Sequence, residues 1–317
     1  MESGLILLNK PQGTTSFDAL RDIKRSFGTG KVGHTGTLDK FAGGLLLVLA
    51  GKALKLSRWF SHCDKKYTGK IFFGAETDTL DPEGKITAEA ALPSREAVSA
   101  ALRLFTGDIM QEPPAYSAIH VNGKRASSLA RSGIIPEMIK RKVTVYALEL
   151  LSWEPPFAEI FVHCSSGTYI RSLARDIALA ADSRGHLVSL LRTEIAGFTL
   201  DMAVNKKGSW ESGVGSRKED DYSCLLPTPY SLFPIDKDII SKIGLPWFDV
   251  SEKEANAICH GKQLTSVLNE KQLSSLVPSC LYVKSSQDHL SAAVFYGETL
   301  IAVIEKIEDN WKYGCVM

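Results

Sequence analysis

The chain has 317 residues, 44% hydrophobic and 23% charged, with a formal net charge of +1. These proportions exclude a fibrous, disordered or low-complexity protein and suit one large domain, or a large one with a small companion. No apolar run approaches membrane-spanning length and the first residues carry no signal-peptide pattern, so the expected location is cytoplasmic. The six cysteines (Cys63, Cys164, Cys224, Cys259, Cys280, Cys315) are scattered without a CxxC pair, which suggests neither a zinc ribbon nor a disulfide framework.

The near-neutral total hides an asymmetry. Residues 1–70 hold 12 Lys and Arg against 5 Asp and Glu, a surplus of seven, so the remainder carries a deficit of six. A basic front on a neutral chain is compatible with a polyanion site on one face and, equally, with solvated surface.

In chain order, GLILLNKP (Gly4 to Pro11) reads as a short buried strand ended by proline. SFDALRDIKRSFG follows as an amphipathic helix, with Phe17, Leu20, Ile23 and Phe27 at helical spacing, Thr15 or Ser16 as cap and Gly28 as stop. The stretch Gly28 to Gly44, GTGKVGHTGTLDKFAGG, concentrates glycines, threonines, one histidine and one aspartate. It contains a literal GxGxxG, but after a helix and before more loop, so the dinucleotide fingerprint is rejected. A Walker A loop fails as well, because Val32 follows Gly30-Lys31. Phosphate contact by Lys31 and the glycine amides stays open. Glycines gathered this way suit backbone that must approach a ligand, and Asp39 is the candidate reactive residue.

Leu45 to Ala50 is an apolar run of buried-strand type, and GKALKLSRWF a short helix. Lys65-Lys66-Tyr67 opens an alternating strand; its tyrosine is either core packing or part of a site. Acids in GAETDTLDPEG, including Asp78 and Asp81, are turn formers without EF-hand spacing. A helix runs from Arg95 to Phe105. QEPPAYSAIHVNGKRASSLARSG has the look of a recognition loop, and Lys140, Arg141 and Lys142 add a further basic knot, which shifts the odds toward RNA. Ala158 to Cys164 alternates as a strand. SSGTYIRSLARDIALAADSRG runs into a helix with Tyr169 and Arg171 in its first turn; Arg171 is a surface cation or the partner of a buried aspartate. Residues 205–223 are polar and Gly/Ser-rich, a linker or insertion. A mainly β unit begins near Leu245, with a capping box at Ser251 and Glu254 and strands at CLYVKS, LSAAVFY and TLIAVIEKI.

GTGKVGHTGTLDKFAGGLL closely resembles the hallmark loop of the TruB family of tRNA pseudouridine synthases. KKYTGKIFFGAETDTLDPEG, QEPPAYSAIHVNGKR with LARSG, and CSSGTYIRSLARDI followed by LVSLLR match in the same order, from Gly4 to about Leu200. The resemblance implies an α+β fold on a mixed, mostly antiparallel sheet with flanking helices. It further implies a catalytic domain at 1–204, a linker and extension at 205–244, and a PUA-like RNA-binding module at 245–317. The implied reaction is isomerisation of uridine 55 in the T loop of tRNA, by flipping the base, detaching it at N1 and rejoining it through C5, without metal, organic cofactor or guide RNA, by a monomer. Asp39 matches the essential aspartate, attacking C6 or C1′ or removing a ribose proton. Arg171 matches its cationic partner. Tyr67 matches the tyrosine that stacks on the base and assists at C5. His34 matches the residue entering the space left by the flipped base, Asp81 a residue contacting the rearranged loop, and Tyr169 and Leu191 further pocket residues. Lys40, Gly43, Ser127 and Ser166 depart from the family pattern. A non-catalytic RNA-binding or tRNA-folding protein is the rival expectation.

Overall fold

A computed structural model describes residues 3–205, 230–268, 290–308 and 310–317. The main sheet runs, from one edge to the other, through strands Val204–Asn205, Gly4–Lys10, Gly43–Ala50, Gly185–Ile195, Lys65–Phe73, Phe157–Cys164, Arg141–Glu154 and Gly107–Gln111. Val32–His34 adds to Gly43–Ala50, and Phe198–Thr199 to Gly185–Ile195. Two neighbour pairs are parallel, Gly4–Lys10 with Val204–Asn205 and Gly43–Ala50 with Gly185–Ile195; the other pairings in the sheet are antiparallel. The expected mixed, mostly antiparallel α+β fold is present.

Strand alternation sends residues to opposite faces, and the first strand shows it plainly. Leu5 and Leu7 join a core with Leu45, Leu47, Trp59 and Phe60. Ile6 and Leu8 join another with Leu46, Val48, Leu20 and Ile23. A third core lies under two helices, Arg95–Leu104 and Ile170–Ala180. The latter buries Ile170, Leu173, Ala174, Ile177 and Ala178, a stripe at helical spacing.

The parallel junction between Gly43–Ala50 and Gly185–Ile195 pairs Leu191 with Gly43 and Arg192 with Gly44. Gly44 has φ +105°, and a Cβ there would lie 2.3 Å from the Arg192 carbonyl oxygen. Glycine is required at this contact. Gly43, one of the departures, has Gln12 against it: a Cβ would meet Gln12 Cγ at 3.2 Å.

Several expectations change. The first helix is two short ones, Ser16–Ala19 and Arg21–Ser26, and Phe17 is 69% exposed instead of buried. The loop after Pro113-Pro114 folds into a tight hairpin (120–121 with 124–125) and a helix, Ala126–Arg131. The 205–223 stretch beyond Asn205 and the CLYVKS strand lie outside the described residues.

The C-terminal sheet orders Trp247–Asp249, Leu290–Tyr296, Thr299–Ile307 and Asn310–Val316, the first pair parallel. Its capping box at Ser251 and Glu254 is formed. Leu290–Tyr296 is buried on both faces: Ala292 and Val294 pack with Val250, Ile258 and Leu264, whereas Ala293 and Phe295 pack into the core containing Leu5 and Leu45. Arg58 stacks over Trp59 at 4.1 Å and pairs with Glu305 at 2.7 Å, tying the helix Ser57–Ser61 to the C-terminal sheet.

Candidate active site

A cavity of about 490 Å³ opens beside the helix-covered core. Its roof is the Thr35–Asp39 loop with Tyr116, Tyr169 and Arg171. Its floor is Lys65, Tyr67, Leu190 and Arg192. The loop is held by Ser16, whose hydroxyl donates to the Leu38 carbonyl and accepts from the Leu38 amide, each at 2.9 Å. Asp39 is thereby carried to the end of Ile170–Ala180 that bears Arg171.

Arg171 is buried, and every edge of its guanidinium is engaged. Nη2 donates to Asp39 Oδ1 at 3.1 Å and to the Tyr116 carbonyl at 3.0 Å. Nη1 donates to the Thr79 carbonyl at 2.8 Å and to Asp81 Oδ2 at 3.1 Å. Nε sits 2.8 Å from Asp39 Oδ2, an ion-pair contact that misses the hydrogen-bond direction. One cation thus serves two carboxylates. Burial pushes the Asp39 carboxyl above its ordinary range, Arg171 pulls it back, and the like charge of Asp81 pushes it up again. Some 36% of the Asp39 side chain still faces the cavity, so the carboxylate is both held and available.

Asp81 differs from the expectation of an RNA contact. It is buried and does not line the cavity; besides Arg171 it is held by the Thr79 hydroxyl and the Glu83 amide. It backs the arginine. Leu191 also differs: it faces away, 36% exposed, and Leu190 takes the wall position, because alternation puts Leu190 and Arg192 on the cavity face. Lys31 is exposed and off the cavity. Lys40 pairs with Glu83 at 3.4 Å.

Tyr67 is buried in the floor, and burial pushes its phenol up to about 12, with Arg192 opposing. Its ring lies with Leu38, Ile170 and Leu190 in one core cluster. Tyr169 lines the cavity as the residue preceding the helix. Its backbone is clamped by Gln111, whose side-chain amide donates to the Tyr169 carbonyl at 3.1 Å and accepts from its N–H at 2.8 Å. His34 stands at the mouth with Nδ1 buried and unpartnered among the described residues; burial, Arg192 and Lys24 all hold its imidazole toward the neutral form.

Sequence reasoning missed Gln111, Arg192, Lys65 and Lys10. Lys10 is fully buried, donating to the Thr14 carbonyl at 2.6 Å, and burial pulls its ammonium down to about 8 against the attraction of Asp39. A cation within an apolar strand was the available signal. Among the described residues no group of three or more His, Cys, Asp or Glu side chains could hold a metal ion.

A mixed sheet with an Asp–Arg pair and a tyrosine lining one cleft is the arrangement that the resemblance to pseudouridine synthases implies. A family model described as TruB family pseudouridylate synthase (N terminal domain) matches residues 24–170. The chain is 46% identical over 203 residues to tRNA pseudouridine synthase B of Borreliella burgdorferi (strain ZS7), covering 63% of this chain and 72% of that one. It is 41% identical over 317 residues to the protein of the same name from Treponema pallidum (strain Nichols), covering 83% and 86%. The chain belongs to the TruB family. In fold it is similar to a chain in the crystal structure of a Cbf5-Nop10-Gar1 complex, with a TM-score of 0.64 at 22% identity, covering 96% of this chain and 78% of that one.

Proposed function

We propose that this protein converts uridine 55 in the T loop of tRNA to pseudouridine, acting alone. The observation that carries the reading is the Asp39–Arg171 pair facing Tyr67 across one cavity; the names of the TruB relatives, tRNA pseudouridine synthase B, supply the substrate class. A base in a folded loop must leave its stack to reach Asp39, which costs a few kcal/mol. In this reading His34 takes the vacated space as a neutral ring. The base lies on Tyr67, beside Leu190 and Tyr169, with its ribose toward Asp39.

Detaching the base leaves electron demand at C1′, and an ionised carboxylate in a recess answers it whether by attack on C1′, on C6, or by removal of a ribose proton. Arg171 opposes the burial that raises the Asp39 carboxyl. Exposed cations such as Lys124, Arg125 and Arg131 hold phosphates and set position without reading sequence. The 1–204 portion is assigned the chemistry, 205–244 the connection, and 245–317 a PUA-like RNA-binding role, within a cytoplasmic monomer.

The test is to incubate unmodified tRNA with the purified protein, without nucleotide, guide RNA or added metal, and map pseudouridine. Product at position 55 is expected. Binding without product would favour a non-catalytic RNA-binding protein, and product only at other positions would overturn the site assignment.

A further inference from the structure

The side chain that grips Tyr169 in the roof comes from the far edge of the main sheet. Strand Gly107–Gln111 is that edge, and its last residue pairs in register with Arg141. Alternation turns Ile109 and Gln111 inward, and Gln111 ends 1% exposed. Its carboxamide donates to the Tyr169 carbonyl and accepts from the Tyr169 N–H. An antiparallel strand holds a residue by the same pair of bonds; here one side chain supplies both. No neighbour in sequence provides this grip. Tyr169 precedes the helix Ile170–Ala180 with an extended backbone, φ −98° and ψ 108°, and its own side chain makes no capping bond, which leaves the ring to line the cavity. Two further bonds join the same segments: Arg175 Nη2 donates to the Glu112 carbonyl at 3.3 Å, and Arg171 Nη2 to the Tyr116 carbonyl. Neither touches the Tyr169 backbone.

The rotations φ and ψ flank Cα, so holding the N–H and the C=O of one residue fixes the direction of its Cα–Cβ bond. A buried carboxamide is costly unless it is hydrogen-bonded, and Gln111 commits both its oxygen and its nitrogen to this single residue. Gln111 does not itself line the cavity, so it acts only through what it holds. Resting on the pseudouridine synthase reading above, we propose that Gln111 is a positioning residue of the reaction: by clamping the Tyr169 backbone it aims the Tyr169 ring at the flipped uridine. A ring displaced by about 1 Å would still leave the base in the pocket but out of line for detachment and rejoining, a misplacement on the scale of 100-fold in rate. RNA affinity rests mainly on phosphate contacts at exposed cations, which the clamp does not touch. The simpler role, a strut that only anchors the helix start, would act whether or not the ring is present.

Single-turnover formation of pseudouridine in unmodified tRNA, at saturating protein, tests this with a double-mutant cycle. Gln111→Met keeps the length and removes both bonds; it is expected to slow the saturated step by about 30- to 100-fold, with tRNA affinity within about twofold of wild type. In a Tyr169→Ala background, Gln111→Met is expected to cost no more than about twofold, because the ring it aims has gone. Gln111→Glu still accepts from the Tyr169 N–H, but its carboxyl donates to the carbonyl only when protonated. Its rate relative to wild type is therefore expected to rise as pH falls. Losses that multiply, a loss carried in tRNA affinity, or a Gln111→Glu ratio flat in pH would overturn the positioning role and leave Gln111 as a strut for the helix start. Should Gln111→Met fail to fold, Gln111→Glu completes the same cycle. A wild-type protein that forms no pseudouridine would instead sink the functional reading itself.

Discussion

The two ends of the cavity handle buried charge in opposite ways. At the roof, Arg171 faces two carboxylates, Asp39 and Asp81, and the Lys10 ammonium is drawn to the first of them. At the floor, Arg192 and Lys65 donate to backbone carbonyls. A carbonyl dipole stabilises a cation without cancelling its charge. The roof therefore gathers carboxylates around an arginine, and the floor gathers cations on backbone dipoles. In the function proposed above, the roof would serve the sugar and the floor the base.

Removing the anion breaks the comparison most severely. Asp39→Asn retains size and an acceptor but abolishes the charge, and pseudouridine formation should fall by at least about 10⁴-fold. RNA affinity measured by filter binding should stay within a few-fold; turnover retained by the Asn variant would remove Asp39 from the chemistry.

Arg171→Met tests the roof cation. It leaves two carboxylates facing each other, and breaking a buried pair on one side costs about 3–5 kcal/mol. The carboxyl of Asp39 is already raised by burial, so the folded protein binds its proton more tightly than the unfolded chain. Stability from this group thus falls as pH rises from the ordinary carboxylate value through the raised one, while activity needs the ionised form and falls as pH drops through it. Without Arg171 the raised value climbs further. The acid limb of the rate profile should move to higher pH in Arg171→Met; an unmoved limb would show that Arg171 does not set the ionisation of Asp39.

How much of this was legible in the sequence depends on the kind of signal. The roof was readable because its residues sit in dense, ordered motifs: Asp39 in the glycine loop, Arg171 in the first turn of an amphipathic helix. Tyr67 was readable by strand alternation plus resemblance. The floor was not. Arg192 lies in LVSLLRT, where an arginine reads as a surface interruption, and its burial depends on a parallel pairing with Gly44 from a segment far away in the chain. Register is a tertiary property, and a one-residue difference separates Leu190 from the expected Leu191. Asp81 looked like a turn former and is one, through its bonds from the Thr79 hydroxyl and the Glu83 amide; its bond to Arg171 comes from across the fold. Phe17 fitted a helical stripe, but the helix breaks after Ala19 and leaves the ring outside.

The junction between roof and floor is the next place to press. Gly44→Ala would put a Cβ 2.3 Å from the Arg192 carbonyl oxygen at a positive φ. Backbone faces it, so neither strand can yield cheaply, and a loss of about 2–4 kcal/mol in denaturant stability is expected. If Gly44→Ala kept wild-type stability, the close pairing that buries Arg192 would be wrong. As a contrast, Gly28→Asn, at φ +57° with open space around its Cβ, should cost under about 1 kcal/mol.

The smallest effect separates the two kinds of cation by pH alone. Burial pulls the Lys65 ammonium down to about 8 from 10.5. Between those values the unfolded chain binds more protons at this site than the folded one, so this group's contribution to stability rises with pH. Lys65→Met removes that dependence and also strands the carbonyls of Ser61 and Cys63, a cost constant in pH. The stability of Lys65→Met relative to wild type should therefore decline steadily from pH 8 toward pH 10, by at most about 3 kcal/mol, read from urea midpoints at each pH. A difference flat across that range would mean that Lys65 is charged at no cost in the folded state. That result would require a counter-ion at the floor and would make the two ends of the cavity alike.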